Sequence, residues 1–441
     1  MSKAVEAFRN SFKIPELKRR IIFTVVMLGI YRLGCHIPTP GINGAALAEK
    51  LGGMGGLLGF YDIFSGGAFH NATVMALGIM PYISASIIMS LLQTVVPSLE
   101  RLAKMGAEGQ KKITEYTRYG TILLCIVQGF ATAVYLQRQG ADIVANPGVM
   151  FYIMCVISFT TGTAFMMWIG EQISELGIGN GISLLIFASI VARMPQAVFD
   201  VFGMVHRDQL QVFQALILFV LLVAVVAGAI VVTTGQRRIP IQYPRQIKGR
   251  QVMGGQRSYL PLRVNQAGVI PIIFASSIMM LPGMVQNAVN VPWLNNFFTD
   301  HFGYGSLGYN FVDALLIVFF SYFYTAITFN PIEIADNMKK HGGVILGVRP
   351  GKTTADYLNK VMIRITLVGS LFLAIVALLP NIVMSVVHVY NWTVVSFFGG
   401  TTLLILVGVG LDTIRQVEQH LIMRNYEGFS ASGRRTRARR G

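Results

Sequence analysis

Gly347-Val348-Arg349-Pro350-Gly351-Lys352-Thr353 is the stretch of this chain that comes nearest to a phosphate-binding loop, where backbone N–H groups and a lysine cradle an anion. Three residues separate its glycines where that loop needs four, and no buried strand is expected before it, so it reads as a solvated turn. Gly177-Ile178-Gly179-Asn180-Gly181 lacks the spacing of a dinucleotide fingerprint and reads as a tight turn between helices. Cys35, Cys125 and Cys155 lie in or beside apolar runs and none is in a C-x-x-C spacing, so neither a disulfide framework nor a zinc site is expected. No Ser/His/Asp arrangement appears and the seven histidines are scattered. The expectation is a protein with no catalytic residues, no metal and no cofactor.

A different kind of chemistry is written in isoleucines. Ile79 and Ile83 are four residues apart, as are Ile182 and Ile186, so each pair faces one side of a helix. Branched aliphatic side chains offer a passing polymer no hydrogen bond, and a narrow ring of them expels water, which suits a pore that passes many substrates and leaks none. Spacing alone leaves the commoner roles, packing or facing lipid, open.

The elements that must position these residues are membrane spans. Hydrophobic residues make up 53% of the 441 and charged residues 13%, about half the usual charged share of a soluble domain. Apolar runs long enough for a bilayer core of about 30 Å occur near 21–38, 74–96, 118–137, 149–170, 180–202, 212–233, 266–288, 311–330, 361–383 and 397–416. The run after Lys18-Arg19-Arg20 has no cleavage site behind it and reads as a retained first span. With the N-terminus inside, 31 of the 36 Lys and Arg fall on the cytoplasmic side, which places both termini there. The exceptions are Arg32, Lys50, Arg138, Arg193 and Arg207; Arg32 is expected to reach the lipid headgroups. Leu218, on the sixth span, is expected to face lipid.

Residues 78–91 (GIMPYISASIIMSL) and 268–281 (GVIPIIFASSIMML) match at eight of fourteen positions. They lie five spans apart, so the two halves have opposite orientations, and inverted halves place the working site at their interface. Pro81 and Pro271 are expected to remove helix hydrogen bonds there, with nearby serines partly replacing them. Mid-span Asp, Glu and Lys are missing, which disfavours an ion-coupled transporter. A pore for large polymers and a secondary transporter for an uncharged small solute both remain.

MPYISASI (80–87), FSGG (64–67), GEQISELGIGNGIS (170–183), VNQAGVIP (264–271), YTAITFNP (324–331), GVRPG (347–351) and FFGGT (397–401), in this order on ten spans, resemble the bacterial SecY family. The resemblance runs from about residue 14 to about residue 428. It implies an all-α polytopic protein of ten transmembrane helices, built as two inverted five-helix halves around a central pore in the bacterial inner membrane. By matching position, the pore ring is Ile79, Ile83, Ile182, Ile186, Ile273 and Ile405. A plug helix spans about 61–71 and includes Phe64, Ser65, Gly66 and Gly67. The lateral gate holds Pro81, Ser84, Ser86, Pro271, Ser276 and Ser277.

The same resemblance points to Arg349 and Arg250 as contacts for the SecA motor ATPase and the ribosome; Gln251 stands where many relatives have a second Arg. Arg237 and Arg238 belong to the same basic loop. Further implied partners are SecE-like and SecG-like small membrane subunits, and signal sequences and unfolded polypeptides as clients. The expected organisation is a cytoplasmic segment 1–20, a first half 21–211, a second half 212–417 with cytoplasmic loops 234–265 and 331–360, and a basic tail 418–441. That tail, with five arginines in 434–440, is expected to be disordered on anionic lipid or ribosomal RNA.

Overall fold

The computed structural model describes residues 14–51, 62, 64–243, 245–248, 251–254, 257–288, 303, 306–387, 394, 397 and 400–437. Its helices in chain order are α1 (Pro15–Gly34), α2 (Gly44–Leu51), α3 (Met80–Val95), α4 (Pro97–Lys104), α5 (Ala107–Arg138), α6 (Val149–Leu176), α7 (Gly181–His206), α8 (Val212–Thr234), α9 (Ile270–Ala288), α10 (Leu307–Thr328), α11 (Pro331–Lys340), α12 (Lys352–Val387) and α13 (Thr401–Arg437). Between α8 and α9 lie β1 (Gln236–Gln242), β2 (Arg245–Lys248), β3 (Gln251–Gly254) and β4 (Arg257–Arg263); β5 (Val344–Ile345) precedes α12.

Ten of these helices, α1, α3, α5 to α10, α12 and α13, coincide with the ten apolar runs. By length and composition alone α5, α6, α7, α8, α10 and α12 can cross a membrane, and α3 with α4 makes a seventh, bent by 99° at their junction. Pro97 follows that junction and cannot continue the hydrogen-bond ladder, which explains the break. The helices are oily on the outside as well as inside. On α8, Val212, Phe213, Phe219, Val220 and Val231 are all exposed, the mark of a surface that faces lipid or another membrane helix. Leu218 is the exception: at 1% exposure it packs inward, so it is not the lipid-facing position expected of it.

The repeat is visible in the backbone. Gly78 and Gly268 both take a left-handed conformation, φ +59° and +64°, two residues before a helix begins. A side chain there would be strained, so glycine ends the preceding turn in both halves. The helices consequently start at Met80 and Ile270, later than the apolar runs at 74 and 266 suggest. Pro81 and Pro271 then sit at the second helical residue, where the missing N–H was unsatisfied anyway. They do not weaken the middle of the spans. Ser276 and Ser277 donate to Ile272 and Ile273 carbonyls at 2.8 and 2.7 Å, one turn back, and repair no proline gap.

The two basic cytoplasmic segments are not loops. β1 pairs antiparallel with β4 from Gln236↔Arg263 to Gln242↔Arg257, and β5 adds to the other edge of β1 at Ile241↔Ile345. A second apolar core, separate from that of the spans, forms beneath this sheet from Ile239, Ile241, Leu262, Phe329, Met338, Ile345, Leu358 and neighbours on α12. The alternation Arg238-Ile239-Pro240-Ile241-Gln242 supplies its buried face, with period two. The tail also differs from expectation: α13 continues to Arg437, since no proline follows 401 to stop it.

Candidate functional site

The turn between α6 and α7 brings the fourth and fifth spans close. Asn180 caps α7 by accepting from the Ser183 N–H at 3.2 Å, and the Gly181 N–H donates to Ser174 Oγ at 2.9 Å. A methyl at Gly181 would lie 2.7 Å from the Gly170 carbonyl carbon, so glycine is what permits this approach. α7 then carries Ile182, Ile186, Ser189 and Arg193 along one stripe, at steps of four, three and four residues.

Ile79, Ile83, Ile186, Ile273 and Ile405 are each under 8% exposed and belong to the apolar core shared by the spans. Ile182 is half-buried against that core, its Cδ1 near Gly170. Five of the six are turned fully inward. Ile83 and Ile273 occupy the same place in the repeat, three residues into α3 and α9 from their first residues, Met80 and Ile270. α3 and α9 pack directly against each other, and α9 also touches α5. Pro81, Pro271, Ser276 and Ser277 are buried along these two helices, while Ser84 and Ser86 are half-buried.

On the cytoplasmic side a cavity of about 360 Å³ is lined by polar groups including Asn180, Ser183, Arg263, Asn265, Asp412 and Arg415. Arg263 ends β4 and Ser183 lies in the first turn of α7, so the cavity joins the cytoplasmic sheet to the N-terminal end of α7. Asp412 and Arg415, one turn apart on α13, pair along one wall of it at 3.6 Å. Its walls donate and accept hydrogen bonds, so it suits a polar occupant, unlike the apolar core next to it.

The segment 62–72 fills the opposite side. Asp62, Phe64, Ser65, Gly66, Gly67, Ala68 and Phe69 are all buried. The expected plug helix is helical only at 62 and 64 among its described residues, then runs as turns. Gly66 and Gly67, at φ +67° and +91°, cannot continue a right-handed helix. Arg32 is not directed to headgroups as expected. Its Nη1 donates to the Gly66 carbonyl at 2.9 Å. Tyr31 Oη shares a 2.5 Å hydrogen bond with Ser189 Oγ and lies 3.4 Å from the Ser65 carbonyl. Asp62 pairs with Arg193 and also accepts from the His70 N–H at 2.8 Å. This polar cluster was missed in the sequence. The available signal was that Arg32 and Arg193 stand almost alone as basic residues on the outer side.

Arg349 is exposed at the tip of a turn between Gly347 and Gly351, φ +79° and +101°, and its carbonyl accepts from Thr354 Oγ1 at 2.8 Å. Contrary to expectation this turn does follow a strand, β5, with Ile345 buried. A two-residue antiparallel edge strand is still not the parallel strand of a phosphate-binding loop. Arg237 and Arg238 are exposed on β1; Arg250 lies outside the described residues. Cys35, Cys125 and Cys155 are buried free thiols. Among the described residues no cluster of His, Cys, Asp or Glu could hold a metal.

The SecY family profile matches residues 73–414. The chain is 44% identical over 438 residues to the protein translocase subunit SecY of Thermotoga maritima, covering 97% of this chain and 98% of that one. To the Aquifex aeolicus subunit of the same name it is 45% identical, covering 96% and 99%. Its fold superposes on a solved structure described as a protein-conducting channel with a TM-score of 0.61 at 17% identity, covering 93% and 96% of the two chains. A yeast Ssh1 complex bound to the 80S ribosome gives a TM-score of 0.60 at 13% identity, covering 90% and 89%. With a matching profile over most of its length and full-length relatives at this identity, the chain belongs to the SecY family.

Proposed function

We propose that this chain is the protein-conducting channel subunit of the bacterial inner-membrane secretion machinery, moving unfolded polypeptides across the membrane and releasing apolar segments sideways into it. Membership of the SecY family over nearly the whole chain carries this reading. The small-solute transporter gains no support from those relatives. Residues 21–211 and 212–417 act as the two halves. A client enters through the polar cavity lined by Asn180 and Asp412 and passes between Ile79, Ile83, Ile182, Ile186, Ile273 and Ile405. The segment around Phe64, Ser65, Gly66 and Gly67 closes the outer side. Burial of the isoleucines and of that segment corresponds to the idle, sealed state.

Lateral release runs between α3 and α9, which part along Pro81, Ser84 and Ser86 on one side and Pro271, Ser276 and Ser277 on the other. A signal sequence binds the parted state better and shifts the population toward it. The chain performs no catalysis, so a partner supplies the energy. A SecA-type motor ATPase or a ribosome docks on the cytoplasmic sheet and on Arg349, Arg250, Arg237 and Arg238, whose charge suits ribosomal RNA or an acidic protein face. SecE-like and SecG-like subunits complete the complex, and anionic lipid holds the basic end of α13.

The test is a photocrosslinker at Ile83, Ile186 and Ile405, with a secretory precursor stalled halfway. Phe219, 61% exposed, is the control in place of Leu218. Crosslinks from the three isoleucines and none from Phe219 are expected. A stalled precursor that touches none of the three refutes the ring, and normal export from membranes depleted of this chain refutes the channel.

A further inference from the structure

Two of the five basic residues on the outer side reach inward, to the same short segment, from different helices. Arg32 on α1 holds the Gly66 carbonyl at 2.9 Å, and Arg193 on α7 pairs with Asp62 four residues earlier. Both members of that pair are largely withdrawn from solvent, with side chains 15% and 12% exposed. Tyr31 and Ser189, the neighbours of the arginines on α1 and α7, join at 2.5 Å beneath Ser65. The segment is itself shaped for the grip. A methyl on Gly66 would lie 2.9 Å from Arg32 Nη1, and one on Gly67 2.9 Å from Arg193 Nη2. Asp62 is further braced by the His70 N–H, and Ser65 Oγ donates to the Asp62 carbonyl at 3.0 Å, so pulling on Asp62 pulls on the whole turn.

We infer that Asp62 with Arg193, assisted by Arg32 on the Gly66 carbonyl, is an electrostatic latch that holds segment 62–72 shut in the idle channel. This rests on the reading of that segment as the plug. A buried ion pair is strong while sealed from water and weak once water enters, because the exposed charges are screened and solvated separately. The latch therefore resists spontaneous opening. It yields when an arriving polypeptide wets the passage. Arg193 lies on the same stripe of α7 as Ile186, about 10 Å further along the helix axis at 1.5 Å per residue, so the grip stands directly outside the isoleucines.

The experiment is idle ion conductance of the purified channel complex in a planar bilayer, with signal-dependent export as proof that each variant assembles. Asp62→Asn keeps the acceptor for the His70 N–H and removes the charge and the oxygen that faces Arg193. Asp62→Asn and Arg193→Met should each raise idle conductance by roughly ten-fold, because each leaves one buried charge unpaired. The double variant should leak less than the two effects combined, and Arg193→Lys should stay near the wild type. Deleting 62–70 fixes the scale. If the deletion leaks but the single variants do not, the latch is refuted and the plug reading stands. Leaks that simply multiply in the double variant also refute the pairing. If the deletion does not leak, the plug reading falls and the latch with it.

Discussion

Shortening the isoleucines should loosen the seal in a way that shortening other buried isoleucines does not. Ile186 and Ile405 are 2% and 0% exposed, and so is Ile173 of α6 at 0%. Ile→Ala at any of them removes three carbons from a filled core, a loss of about 2–5 kcal/mol of packing. At Ile173 that packing is present whether the passage is open or shut, so the open-to-shut ratio does not move. If Ile186 and Ile405 belong to the proposed pore ring, their packing exists only while the passage is closed. Losing even about 2 kcal/mol from the closed state alone shifts that ratio by about 30-fold. All three variants should therefore show similar loss of thermal stability in detergent, while only Ile186→Ala and Ile405→Ala raise single-channel activity of the idle complex in a planar bilayer. Equal activity in Ile173→Ala, or none in the other two, would falsify the argument that these side chains meet across a closing gap.

Two perturbations of the cytoplasmic face follow from its second core. Arg349→Glu puts the opposite charge at the tip of an exposed turn without touching any packing, so export should fall by about ten-fold while the chain still inserts into the membrane; normal export rates would remove Arg349 from the docking surface. Ile241→Asp buries an unpaired charge where β1 meets β4 and β5, at a cost of about 3–5 kcal/mol. It should speed tryptic cleavage near Arg349 and depress motor-driven export while idle conductance stays at the wild-type level; unchanged proteolysis would mean the sheet does not hold that turn.

The sequence by itself determined the membrane class, the ten helices, their orientation and the inverted repeat. Those properties depend on runs of about 20 residues and on charge counts, which local composition carries and the bilayer enforces. It also carried the family, through motifs in fixed order. It did not determine where the helices of the repeat begin, because that rests on the backbone of Gly78 and Gly268, which turn at φ near +60° two residues before each helix. Nor did it show that segments 234–265 and 331–360 share a sheet, since β1 and β5 are about a hundred residues apart and pair only once α10 to α12 bring them together. Leu218 and Arg32 mark the same boundary. An apolar residue on a span faces either lipid or protein, and an outer arginine turns either to headgroups or inward. Both solvents accept the residue type, so the choice is made by what the neighbouring elements place beside it: a packed interior for Leu218, and for Arg32 the carbonyl of a glycine thirty-four residues away.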